Sequence, residues 1–285
     1  MKWEGGEQSD NVEDRRGIPR AGLAIGGGGG IVLLIIALVL GVDPQKLAGP
    51  PGGAANPGNG GEAAPPKNDR TAQFVKTVLR YTEDVWDEQF AKSGSRYEKP
   101  KLVLFSDAVS TGGCGNAPSA VGPFYCPADR TVYLDPSFFD ELEQKLGGSK
   151  AEFSQAYVIA HEIGHHVQNL LGYSAKADAA RRLGKREGNE ASVRLELQAD
   201  YLAGVWAHYG QEKFKFIEPG DVESALKSAN AIGDDRLQKR SQGWTSPESY
   251  THGTSEQRTK WFRDGLQSGD MTKLRAFFTM PYKDL

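Results

Sequence analysis

"YVIAHEIGHHVQ", Tyr157–Gln168, sets three histidines and one glutamate in a run that is otherwise mostly apolar or small. On a helix, His161 and His165 are four apart and stand one turn above each other on one face. Glu162 lies beside them. Ile159, Ile163, Val167 and Leu170 fall on nearly the opposite side. The spacing predicts a helix over Phe153–Leu171 that buries one face and offers two imidazoles on the other. Gly164 sits inside it at a cost of about 1 kcal/mol relative to alanine, which points to close approach by another element.

His161, Glu162 and His165 form the pattern H-E-x-x-H, and each residue type has a chemical reason. Zn²⁺ binds neutral imidazole nitrogens, and two at helical spacing make a rigid half-site. A third protein ligand leaves one position for water, whose pKa the metal lowers towards about 7. Glu162 is then the base that takes the water's proton and passes it to a leaving amine.

The third ligand sets the class. A metzincin would place glycine and histidine where this chain has Gln168 and Leu171, so that reading fails. The alternative is a second, acidic helix. "RLELQADYLAG", Arg194–Gly204, carries Glu196, Ala199, Asp200 and Ala203 on one helical face, and the two alanines permit close helix approach. Alone, Glu196 and Asp200 would read as a solvated face. Opposite a histidine pair that needs a partner, Glu196 reads as the third ligand of a His, His, Glu site, as in thermolysin and carboxypeptidase A. Asp200, one turn on, would accept the second ring N–H of a ligating histidine.

His166 points away from this face and reads as a packing or hydrogen-bonding residue, and His208 as structural or exposed. His252, in "SYTHGTSEQ", precedes a capped helix in a Tyr/Thr/Gly loop. It or Tyr250 is placed to donate to an oxyanion. Asp234 and Asp235, in "AIGDDRLQ", orient ligands or cap a helix.

These motifs together resemble a known family. H-E-x-x-H followed by E-x-x-A-D looks like the gluzincin metallopeptidases. With "NVEDRRG", "AHEIGHHVQ", "ELQADYLAG", "AIGDDRLQ" and "THGTSEQR", nearly the whole chain resembles the bacterial neutral zinc metallopeptidase family. The resemblance implies a membrane-anchored zincin-like domain that binds one zinc ion through His161, His165 and Glu196, with Glu162 as catalytic base. It implies a peptide or protein substrate. A rival reading is a zincin-like scaffold that binds extracytoplasmic proteins or cell-wall components without cutting them. The intact Glu162 argues against it, since a scaffold needs no base. A zinc hydrolase acting on non-peptide amides is a third.

The rest of the chain supplies the setting. A net charge of −3 with scattered Lys and Arg gives no nucleic-acid footprint. Residues 1–20 read as a polar tail. Ala21–Val42 holds no charge in 22 positions, about 33 Å as a helix, and reads as one transmembrane helix. Residues 43–70 read as a Gly/Pro-rich tether, and 71–285 as the metallopeptidase domain. Lys2, Arg15, Arg16 and Arg20 precede the apolar run and only Lys46 follows closely. The positive-inside rule therefore predicts a single-pass protein of the bacterial inner membrane, with its N-terminus cytoplasmic and its domain periplasmic or extracellular. Cys114 and Cys126 then read as a disulfide in an oxidising compartment.

Within the domain, helices are expected over Thr71–Ala91, Phe138–Leu146, Ala191–Tyr209, Val222–Lys239 (interrupted near Gly233) and Ser255–Leu266. The last starts at a capping box, Thr254–Gln257. Lys101–Phe105 and two short runs around Pro127–Arg130 read as strands. Helices dominate over a small sheet, an α+β class. Thr131–Asp135 is expected to be a half-buried edge strand along which an extended peptide could add.

Overall fold

Residues 1–17 and 69–285 are described by the structure, a computed structural model. Six strands are short: β1 (Val12–Asp14), β2 (Lys101–Leu104), β3 (Ala108–Ser110), β4 (Asn116–Pro118), β5 (Phe124–Cys126) and β6 (Thr131–Leu134). The helices are α1 (Arg70–Lys92), α2 (Phe138–Glu141), α3 (Glu152–Leu170), α4 (Tyr173–Arg181), α5 (Lys185–Phe214), α6 (Asp221–Ala231), α7 (Asp234–Gln242) and α8 (Ser255–Ser268). The class is α+β and mainly helical, with a small sheet.

The main sheet runs β1-β2-β6-β5. β1, β2 and β6 are parallel, and β5 pairs antiparallel to β6 at the free edge. β3 and β4 form a separate antiparallel pair. The period-2 pattern of β2 and β6 divides two cores. Leu102, Leu104, Val132 and Leu134 face the large helical core. Val103 and Tyr133 face a smaller cluster with Val109, Ala117, Phe124 and Cys126. α5 is the central helix, packed on α3, α4 and α8. Gly204 and Gly265 let the α5 and α8 backbones meet: a β-carbon on Gly265 would lie 2.1 Å from the Tyr201 carbonyl oxygen.

β6 is not the edge that its alternation predicts. It pairs with β2 on one side and β5 on the other, and Thr131, Val132, Tyr133 and Leu134 are all buried. Tyr133 reads as an outward residue in sequence because its ring is amphipathic. Here it stacks on Phe124 with ring centroids 5.1 Å apart, and its hydroxyl donates to Asp129 at 2.8 Å. The edge belongs to β5.

Residues 1–17 are not a separate tail. β1 adds to the sheet beside β2, with Val12 opposite Leu102 and Asp14 opposite Leu104. Trp3 is buried edge-on to Phe74 at 5.3 Å, and the Met1 ammonium pairs with Glu218 and Asp221 at 3.3 and 3.2 Å. The sequence reading misses this because β1 is three residues long and carries two charges. Its signal is pairing, not pattern. The apolar stretch 21–42 and most of the tether, 43–68, lie outside the described residues. Among the described residues no helix is long and apolar enough to cross a membrane.

Candidate metal centre

α3 begins at Glu152 and buries Phe153, Ala156, Ile159, Ala160, Ile163 and Val167. That apolar stripe fixes the helix's rotation, so His161 and His165 face α5. α5 returns the contact through Ala199. A β-carbon on Gly164 would lie 3.0 Å from the Ala199 carbonyl oxygen and 3.2 Å from its Cα, so the glycine permits the crossing. Glu196, one turn before Ala199, then meets both histidines. One ligand atom from each of His161, His165 and Glu196 lies within 4.8 Å of the others. His161 Nε2 is 3.2 Å from Glu196 Oε2, and His165 Nε2 is 3.5 Å from Glu196 Oε1.

The opposite ring nitrogens are held. His161 Nδ1 donates to Asp200 Oδ1 at 2.9 Å. Tyr157 also donates to that oxygen, at 2.6 Å, and Arg258 grips both carboxylate oxygens at 2.8 and 3.1 Å. His165 Nδ1 donates to Gln168 Oε1 at 2.8 Å. Gln168 in turn donates to the Leu195 carbonyl and to Gln198. Each histidine therefore turns Nε2 towards Glu196, the tautomer a metal needs from both.

The donor chemistry fits zinc: two imidazoles and a carboxylate, with their outer hydrogen bonds satisfied. Burial opposes a charged His161, but Asp200 and Glu196 outweigh it and raise its pKa to about 10. Burial dominates at His165, which falls to about 4. Burial also opposes the Glu196 carboxylate, yet the two histidines hold it well below the usual range. The proton on His161 is one that a metal would displace.

Glu162 is 8 % exposed and stands outside the ligand cluster. Burial, with Glu196 adding to it, pushes its pKa up to about 7, while His161 and the Tyr125 backbone N–H pull the other way. β5 thus runs beside the carboxyl of Glu162.

His252 approaches from the loop before α8. Asp234 Oδ2 accepts the backbone N–H groups of Thr251, His252 and Gly253 at 2.7, 2.6 and 3.1 Å. Asp234 Oδ1 lies 3.1 Å from His252 Nδ1. Asp235 takes the Ser255 N–H and hydroxyl at 2.7 and 2.8 Å. Both aspartates of "GDD" thus fold this loop against α5, where Gly253 abuts Leu197 and Val193. Burial works against a charged His252, but Asp234 and Glu196 raise its pKa. Nε2 has no partner among the described residues. Tyr250 is buried in the same loop and bonds Thr245. His208 is bound to the Leu266 carbonyl at 2.9 Å, away from the cluster. The Thr254–Gln257 capping box forms at the start of α8.

A family model described as "Putative neutral zinc metallopeptidase" matches residues 1–277. The chain belongs to this family. Among its relatives, the uncharacterized protein YpfJ of Escherichia coli K12 is 46% identical over 288 residues, covering 97% of this chain and 99% of that protein. The uncharacterized protein Rv2575 of Mycobacterium tuberculosis H37Rv is 48% identical over 183 residues, 61% of each chain. No solved structure matches. The family match includes residues 1–17, so the N-terminal strand belongs to the family's pattern along with the metal cluster.

Arg258, Tyr157 and Gln168 were not singled out from sequence. Gln168 carried the available signal: it follows His165 by three on the same helix. Arg258 follows Asp200 by 58 residues on another helix, and only the α5–α8 packing joins them.

Proposed function

We propose that this member of the neutral zinc metallopeptidase family hydrolyses peptide bonds at the His161, His165 and Glu196 cluster, with Glu162 as general base. One zinc ion held by those three residues would supply a Lewis acid and acidify a bound water. Glu162 accepts a proton from the attacking water and returns it to the leaving amine nitrogen. Its burial and its place beside, but not in, the ligand set suit a proton carrier. Asp200, clamped by Arg258 and Tyr157, holds His161 in the Nε2-facing tautomer, and Gln168 does the same for His165. His252, steadied by Asp234 through Nδ1, has Nε2–H left to donate to a developing oxyanion.

The substrate in this reading is an extended peptide lying along the open edge of β5. Backbone hydrogen bonds would give affinity with little sequence demand, which suits unfolded or flexible chains. The Cys114–Cys126 disulfide supports an extracytoplasmic compartment.

The observation that carries the proposal is the pair of histidines with both outer nitrogens tied and both Nε2 atoms turned to one carboxylate. The test compares the full chain with Glu162→Gln on casein, a disordered protein, with zinc content measured on both. The expected result is about one zinc in each and at least about a hundredfold slower cleavage by the variant. Equal cleavage removes Glu162 from the mechanism. Full zinc loading with no cleavage by either favours the scaffold.

A further inference from the structure

Next to the ligand His165 stands His166, fully buried and turned towards the sheet. Its Nε2 lies 2.6 Å from the Glu98 carbonyl oxygen. A carbonyl only accepts, so Nε2 carries the proton and Nδ1 is bare. Nδ1 lies 3.0 Å from the Tyr125 hydroxyl, which therefore donates to it. The hydroxyl oxygen in turn accepts from Asn169 Nδ2 at 3.1 Å. The direction of every bond in the chain Asn169, Tyr125, His166, Glu98 is thus fixed. The rings of Tyr125 and Tyr97 meet His166 edge-on at 5.4 and 5.6 Å. Tyr125 is the middle residue of β5, and Cys126 beside it is tied to Cys114.

We propose that His166 is a positioning residue: with Tyr125 and Asn169 it clasps the edge strand β5 to the catalytic helix α3 and sets the gap in which a peptide substrate lies. This rests on the peptidase reading above. α3 then serves two tasks with adjacent histidines. His165 faces the metal cluster, and His166, about 100° further round the helix, faces the strand. A purely apolar residue at 166 would fill the space but fix neither the rotation of Tyr125 nor the register of the edge.

The experiment measures casein cleavage, zinc content and melting temperature for the full chain, Tyr125→Phe and His166→Phe. The expected outcome is unchanged zinc, with KM raised about tenfold and kcat changed far less, because peptide binding and not the chemical step is lost. Tyr125→Phe keeps the ring, so it guards against a folding defect in the other variant. A lowered melting temperature with wild-type KM in both variants overturns the clasp, and so does loss of zinc. Absence of cleavage by the wild-type chain would instead sink the peptidase reading.

Arg16 pairs with Asp69, and Asp69 caps α1, so the chain leaves the domain after Gly17 and returns at the same place. β1 is hydrogen-bonded into the sheet, and strands on opposite sides of a bilayer cannot pair. We infer that residues 1–17 and the domain lie on one side of any membrane the protein meets. The expectation from sequence, a single crossing by 21–42, which lie outside the described residues, would put them on opposite sides.

The chain's two native cysteines are bonded to each other, which frees single cysteines to act as reporters. Glu4→Cys and Leu183→Cys place thiols at positions 72 % and 78 % exposed. Each is expressed in the full chain in bacterial cells, converted to spheroplasts and treated with a membrane-impermeant maleimide, before and after lysis. The expected result is the same pattern at both positions. Labelling of one in intact spheroplasts and of the other only after lysis overturns the inference and restores the single crossing.

Discussion

Replacing Gly164 by alanine tests how tightly the metal cluster depends on the α3–α5 crossing. The new β-carbon would stand 3.0 Å from the Ala199 carbonyl oxygen and 3.2 Å from the Ala199 Cα. Both are backbone atoms and cannot rotate aside, so the helices must part by a few tenths of an ångström. Gly164 adjoins His165, and Ala199 is one turn from Glu196, so the parting falls on the ligands. Metal–ligand distances tolerate only about ±0.2 Å. For stability two effects compete. Alanine in a helix interior gains about 1 kcal/mol over glycine, whereas overpacking costs about 1–3 kcal/mol. The net is a loss of about 0–2 kcal/mol in the metal-free protein. Metal binding has no compensating gain, and zinc affinity should fall at least about tenfold, or about 1.4 kcal/mol. Urea denaturation of the apoprotein and competition with a chromophoric chelator measure the two separately. A variant about 1 kcal/mol more stable, with wild-type zinc affinity, would show slack at this crossing and refute the reasoning.

Arg258→Met should destabilise the protein by about 3–5 kcal/mol, because the Asp200 carboxylate stays buried without its cation. Adding Asp200→Asn should recover part of that loss in urea melts, and strictly additive effects would disprove the coupling. Trp3→Ala should cost about 3–5 kcal/mol; a change below about 0.5 kcal/mol would mean that the N-terminal segment is dispensable to the fold. Thiol labelling of unfolded, non-reduced protein from an oxidising compartment should find no free cysteine. The Cys114→Ser, Cys126→Ser pair should lose about 3 kcal/mol of stability, so two free thiols, or an unchanged melt, would remove the bond from the account.

The sequence by itself determined the features written in local periodicity. His161 and His165 share a face because a helix repeats every 3.6 residues, and Glu196 and Asp200 do so for the same reason. Gly164 and Ala199 marked the crossing in advance, since small residues in helix interiors permit close approach. The Thr254–Gln257 cap is also local, and the structure forms it as read. Helix ends were less legible. α5 extends to Lys185 and Phe214 because tertiary contacts support turns whose own pattern is weak, and α4 lacks a strong apolar stripe.

Only the tertiary structure decided which strand is the edge. Alternation in β6 reports two different faces, but one edge of that strand is taken by its hairpin neighbour β5 and the other by β2, which lies before the β3–β4 pair in the chain. The same holds for β1, whose partner β2 lies beyond residue 100, and for Arg258, delivered to Asp200 by another helix. Residues in one helix are juxtaposed by the backbone itself. Strand neighbours and partners of buried charges are chosen by long-range pairing, and a single sequence read locally carries no period that reports it.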